Sequence, residues 1–215
     1  MGRASRWAVG LTGVAASVAL AAGCGSSGGS VASVPAAPGA PLADRLLTAD
    51  ELGIPGYSAT REPVEPQDAV DSEAGDPCAA RRTHEVRLLQ EEGLQARVRR
   101  SFTSEDGGAL SIVQQFATPA GAQATRTALI ADLHRRWLGC DASIATTEFD
   151  TRRLDQPPDA ILVHTVQTGN GQPPEAWNVF FTDGRFLYTV GAVGTGATRQ
   201  AVVAAAQRAY DTRGD

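Results

Sequence analysis

The chain contains no lysine: all 19 of its basic side chains are arginine, set against 24 acidic ones. Its formal charge of −5 argues against nucleic-acid binding, which draws much of its affinity from clustered positive charge. Histidine is scarce too, with three residues. His84, His134 and His164 share no metal-ligand spacing and read as packed or surface side chains. GxSxG and HExxH motifs are missing, and no serine or cysteine stands in a recognisable nucleophile motif. Asp68, Asp71, Glu73 and Asp76 lack the order of a calcium-binding loop and read as a solvated acidic stretch. The glycines of "GAVGTGATR" could hold an anion on free backbone N–H groups. The strand before them belongs to a hairpin, however, and too little chain follows for a βαβ nucleotide fold. The expectation is no catalytic residue, no metal site and no cofactor, with the ligand-binding residues unknown.

Long apolar runs are also lacking. The uncharged segment 7–22 is too short and too rich in Gly and Ala to be a comfortable membrane-spanning helix. Arg3 and Arg6 precede it, and Ala21, Ala22, Gly23 and Cys24 close it, which is the layout of a secretory leader. The segment "LAAGC" resembles the lipobox of bacterial lipoproteins, with Leu20 one place earlier than the usual pattern. The resemblance implies that residues 1–23 are a signal peptide, that Cys24 carries acyl chains, and that the chain is anchored to the outer face of the cytoplasmic membrane. Loss of Arg3 and Arg6 with the leader takes the formal charge from −5 to −7.

Residues 24–43 supply the tether. From Gly25 they are Gly, Ser, Ala and Pro with hardly a large side chain, so they bury too little surface to fold. Such a segment spans about 25 Å end to end, which keeps the following domain near the membrane but outside it.

Cysteine is the third scarcity, with three residues. An exported chain meets an oxidising compartment, and with Cys24 acylated the expected disulfide is Cys78–Cys140. It would close a loop of about 60 residues, worth about 4 kcal/mol in the chain-entropy account.

Residues 44–215 read as one α+β domain, an antiparallel sheet of about six strands packed by a long central helix and a C-terminal helix. Thr48 and Glu51 form a capping box, and Gly53 with Pro55 stops the helix they open. Residues 61–76 are expected as an exposed loop. Leu94, Ala96, Val98 and Phe102 alternate with polar residues, as in a half-buried strand, and a second strand runs over 109–117. The alternation sends Arg97 and Arg99 to the polar face and Arg100 to the other. These arginines, with Arg81, Arg82 and Arg87, read as a solvated face able to meet anionic headgroups. Thr118 caps a helix whose apolar face holds Ala122, Leu129, Ile130, Leu133 and Trp137, and Gly139 ends it. Strands follow over 144–150 and 160–167. "AWNVFFTDGRFLYTV" reads as a hairpin with Asp183-Gly184 as its two-residue loop. Phe181 then faces Phe186, Val179 faces Tyr188 and Trp177 faces Val190. An Ala-rich amphipathic helix closes the domain.

"DPC", a paired strand, a helix ending "WLGC" and a Trp-led hairpin before a final helix together resemble the PknH-type extracellular sensor domain of actinobacteria. That family occurs fused to receptor kinases or alone on lipoproteins. The resemblance covers about residues 46–213 and matches Cys78 and Cys140 to the family's first disulfide. The family's second disulfide falls near Asn178 and after Val190, where this chain has no cysteine. The resemblance implies a non-catalytic, membrane-anchored domain with a cleft for an unidentified ligand or partner. In this chain the hairpin face beside Asn178, Phe180 and Leu187 and the turn Gly194–Arg199 are the candidate walls. The alternative reading is an envelope enzyme or lipid-handling factor.

Overall fold

Alternating apolar and polar side chains organise the chain into one antiparallel sheet sandwiched between helices. The computed structural model describes residues 41–59, 65–66, 85, 87–137, 145–168 and 175–212, and of the residues in those ranges the side chains of 65–66, 134–137, 145–148 and 167–168 lie outside the description. The strands are β1 (Ser58–Ala59), β2 (Glu65–Pro66), β3 (Leu94–Thr103), β4 (Gly108–Phe116), β5 (Ala145–Arg153), β6 (Ile161–Thr168), β7 (Glu175–Asp183) and β8 (Phe186–Val193). They stand in the order β1-β3-β4-β8-β7-β6-β5, with β2 also paired to β3. The α+β class and six of the strands match the sequence reading. The other two are two-residue strands added along β3, and β2 lies inside the stretch expected as loop.

The α-helices whose bounds lie within the described residues are α1 (Ala49–Leu52), α2 (Pro119–Trp137) and α3 (Arg199–Asp211). A 3-10 turn over Leu42–Arg45 precedes α1, and residues 87–91 are helical. The first face of the sheet presents Val113, Leu162, Val179, Phe181, Tyr188 and Val190 to α3 and the N-terminal segment. Val202, Ala205, Ala206 and Ala209 form the buried stripe of α3, and their short side chains let it lie close to the strands. Phe181 stacks on Tyr188 at 4.7 Å and meets Tyr210 edge-on at 6.0 Å. The second face carries α2. Ala122 and Leu129 pack with Phe116 and Leu187, while Leu133 packs with Val163 and Phe180.

A four-residue helix has no stability of its own, so α1 depends on its ends. The Thr48–Glu51 capping box forms as the sequence predicts. Gly53 takes φ 59° at the C-cap, where a side chain would be strained. Arg208 of α3 donates to the carbonyls of Glu51 and Leu52, the latter at 2.6 Å. Arg100 donates to Leu47 O at 2.8 Å, and Arg45 to the Tyr188 hydroxyl at 2.9 Å. Three arginines thus bind the N-terminal segment to the core beneath which Leu46, Leu47, Leu52 and Ile54 are buried.

Three sequence expectations are corrected. The hairpin loop is Gly184-Arg185, with Asp183 still paired to Phe186. Gly184 has φ 53°, so glycine serves the first loop position and not the second. Phe181 therefore faces Tyr188, Val179 faces Val190, and Trp177 faces Ala192. Because the register moves by an even step, every side chain keeps its expected face. Second, Phe180 and Leu187 do not line an open wall: α2 covers both. Third, a bulge between Leu94 and Ala96 turns Leu94 to the second face, where it packs against the Leu89–Phe116 cluster.

Candidate functional site

The second face is unusual in what α2 leaves around its edge. By register, Arg97 stands opposite Gln114 and Arg99 opposite Ile112 across β3–β4. Ile112 pairs with Thr189 of β8, whose next same-face neighbour along the strand, Gly191, faces Asn178 of β7. Thr165 lies beyond on β6, opposite Ala176. A band of polar side chains thus crosses from β3 to β6, four strand spacings or about 19 Å.

Several members are buried. Gln114 is 2% exposed, Thr165 1%, and Thr125, on the sheet-facing side of α2 between Ala122 and Leu129, 0%. Gln114 Nε2, Thr125 Oγ1, Thr165 Oγ1 and Arg99 Nε have no hydrogen-bond partner among the described residues. A buried polar group left unpaired costs about 1–3 kcal/mol, and more if charged. Proteins fill most such positions. His164 Nε2 and Trp177 Nε1 on the first face lack hydrogen-bond partners too, but the second face gathers the larger group, a place where other molecules or water can complete the bonding.

The arginines sort themselves. Arg97 is ion-paired to Glu85 at 3.8 Å with its side chain 12% exposed, so the solvated-face expectation fails for it. Arg100 is on the opposite face, as alternation predicts, and is spent on the N-terminal segment. Arg87 pairs with Glu91 in the open. Arg99 is half-buried on the second face.

The turn Gly194–Arg199 has its own anion. Asp106, in the β3–β4 turn, accepts from the Thr195 hydroxyl and from Thr195 N at 3.3 Å. That hydroxyl, with help from backbone N–H groups and Ser104, lowers the Asp106 carboxyl below its ordinary value. The anion-holding geometry that glycine-rich sequence offers is therefore filled from within the chain. Gly107 and Gly194 are in backbone contact beside it, a contact any Cβ would break. Tyr57 donates to Val193 O at 2.7 Å, and burial raises its hydroxyl pKa against the opposing Ser104 bond.

His164 faces the first side of the sheet and stacks on Trp177 at 3.8 Å, with Glu175 3.7 Å from its Nε2. His134 falls within α2, its side chain outside the described residues. His84, Cys24, Cys78, Cys140, Arg81, Arg82 and the acidic stretch Asp68–Asp76 also lie outside them. Among the described residues no three His, Cys, Asp or Glu groups gather as a metal site, and no helix is long and apolar enough to cross a membrane. What the second face offers is hydrogen-bond donors and, beside the ion-paired Arg97, the cation of Arg99, an arrangement suited to holding acceptors. Sequence reasoning missed Gln114, Thr125 and Thr165. Gln114 alone left a trace, as a polar residue inside the apolar run "SIVQQF".

The order of strands and the placing of α2 and α3 can be compared with solved structures. The extracellular domain of PknH from Mycobacterium tuberculosis aligns with a TM-score of 0.53 and 17% identity, over 80% of this chain and 94% of that one. The two share a fold. An uncharacterised protein from Mycobacterium smegmatis aligns with a TM-score of 0.43 and 12% identity, over 82% of this chain and 98% of that one. No family model matches the sequence, and no curated protein does. Likeness to the PknH domain thus rests on architecture, with the second-face band described from this chain's own residues.

Proposed function

We propose that the chain is a lipid-anchored envelope lipoprotein whose extracytoplasmic domain binds an envelope-derived ligand on the second sheet face and does not turn it over. The observation that carries this reading is the buried, unpartnered polar band of Gln114, Thr125, Thr165 and Arg99. The PknH-type fold supports an extracytoplasmic sensor-like role, and the "LAAGC" leader supports acylation at Cys24. Cys78–Cys140 is the staple of the domain. Membrane and ligand are its partners, and nucleic acid is not.

The test is retention. Full chain purified from membranes is incubated with envelope extract, washed, and its bound molecules identified by mass spectrometry. The reading expects one class of molecule, bound saturably and released unchanged. Chemical conversion of that molecule, lost on replacing His84, His134 or His164, would overturn it in favour of an enzyme.

A further inference from the structure

Arginines that are half-buried in this fold are occupied. Arg45, Arg100, Arg126 and Arg208 donate to protein oxygens, Arg97 pairs with Glu85, and Arg185 lies over the Phe186 ring. Arg99 is the exception among the described residues: no hydrogen bond, ion pair or ring contact holds its guanidinium, and its Nε is shut off from water. A guanidinium stays charged at any physiological pH, and a charge removed from water without a partner is costly. Its same-face neighbour on the diagonal, Gln114, presents a second unfilled donor, Nε2, at the same time. Diagonal Cβ atoms in an antiparallel pair lie about 7–8 Å apart, a span that long side chains such as these close around one oxyanion.

We propose that Arg99, with the Gln114 amide beside it, is an anion site, and that the ligand of the second face carries a carboxylate or phosphate group which it binds there. This rests on the ligand-binding reading above and adds its charge and its point of attachment. Planar guanidinium matches the oxygens of either group in bidentate fashion. The anion sits at the β3 end of the band, so the rest of the ligand extends over Ile112 and Thr189 toward Asn178. Glu65 of β2 holds the register position opposite Arg99.

The experiment follows arginine Nε–Hε signals of the full chain, 15N-labelled at arginine, in nonionic micelles. Three probes are titrated: inorganic phosphate, citrate, and micelles doped with phosphatidylglycerol. One signal, that of Arg99, shifts saturably. Arg99→Gln weakens binding at least tenfold, Arg99→Lys weakens it less, and Arg199→Gln at the exposed start of α3 leaves it unchanged. Saturation by phosphate or citrate assigns a free anion, and saturation by phosphatidylglycerol alone assigns a lipid headgroup. Equal small shifts at every arginine, or binding untouched in Arg99→Gln, overturn the anion site. An extract ligand that binds Arg99→Gln as tightly as the unmodified chain overturns it too, while leaving the ligand-binding reading intact. Phosphate saturation at Arg99 with no extract ligand retained does the reverse.

Discussion

Asn178 and Gly191 face each other across β7–β8, and the Asn178 amide oxygen lies where a Cβ on Gly191 would be. Counting from the Gly184-Arg185 loop, this is a non-hydrogen-bonded pair, with Cα atoms about 4.5 Å apart. Disulfides accept that separation, and it is here that the sensor-domain resemblance puts a second staple. Gly191→Ala should lower stability by about 1–3 kcal/mol through overpacking, read as a lower thermal midpoint. The double change Asn178→Cys with Gly191→Cys should oxidise spontaneously and raise stability by about 2–4 kcal/mol. Free thiols at both positions after air oxidation would show that the pairing is wrong.

Arg208 is the C-terminal closure of α1. Arg208→Met keeps the apolar stem but strands two carbonyls, at about 1–3 kcal/mol each. Urea unfolding should shift to lower concentration, and amides 49–53 should be the first to gain hydrogen-exchange rate. Unchanged exchange there would remove the clamp from the account.

Asp106 ties the β3–β4 turn to the β8–α3 turn and has its carboxyl lowered, chiefly by the Thr195 hydroxyl. A group with a depressed folded value stabilises above its unfolded value, and that contribution disappears as pH falls through the folded one. The unmodified chain should therefore lose stability on acidification below the ordinary 3.8 more steeply than Asp106→Asn. Parallel pH profiles of the two unfolding midpoints would contradict this.

Cys24→Ser should release the domain into the medium or leave the precursor uncut. Mass spectrometry of the membrane fraction decides it, since an unmodified Cys24 at the mature N-terminus is incompatible with the anchor.

Cys78 and Cys140 should appear joined in a non-reducing peptide map. Replacing both with serine should cost about 4 kcal/mol, from the loss of a loop constraint on the unfolded chain. Separate, alkylatable thiols would remove the staple.

Local chemistry made much of the fold legible in advance. Thr48, Glu51 and Gly53 announce α1, Thr118 and Pro119 announce α2, and alternation announces β3, β4 and the hairpin with their buried faces. The loop misreading has a small cause: Asp183-Gly184 and Gly184-Arg185 are both acceptable two-residue turns, and pairing of Phe181 with Tyr188 selects the second. Long-range relations were invisible. Nothing local says that α2 covers Phe180 and Leu187, that Arg208 reaches Leu52, or that Asp106 fills the glycine-rich turn. The binding face was hidden for the same reason, because Gln114, Thr125 and Thr165 come from β4, α2 and β6 and meet only in three dimensions.

The order of strands divides the sheet into two ribbons, β1-β3-β4 and β5-β6-β7-β8, each wound from neighbours in sequence apart from the long return to β1 and β2. One seam joins them, β4 against β8, pairing Ser111 with Val190 and Val113 with Tyr188. Closing it means bringing distant chain together before any contact rewards the loss of freedom, and such closures set folding speed. Zippering of this seam is therefore the expected slow step of assembly, and substitutions in it should slow refolding more than they speed unfolding. Its amides, on strands paired on both sides with helices over both faces, should exchange with solvent only when the whole domain opens.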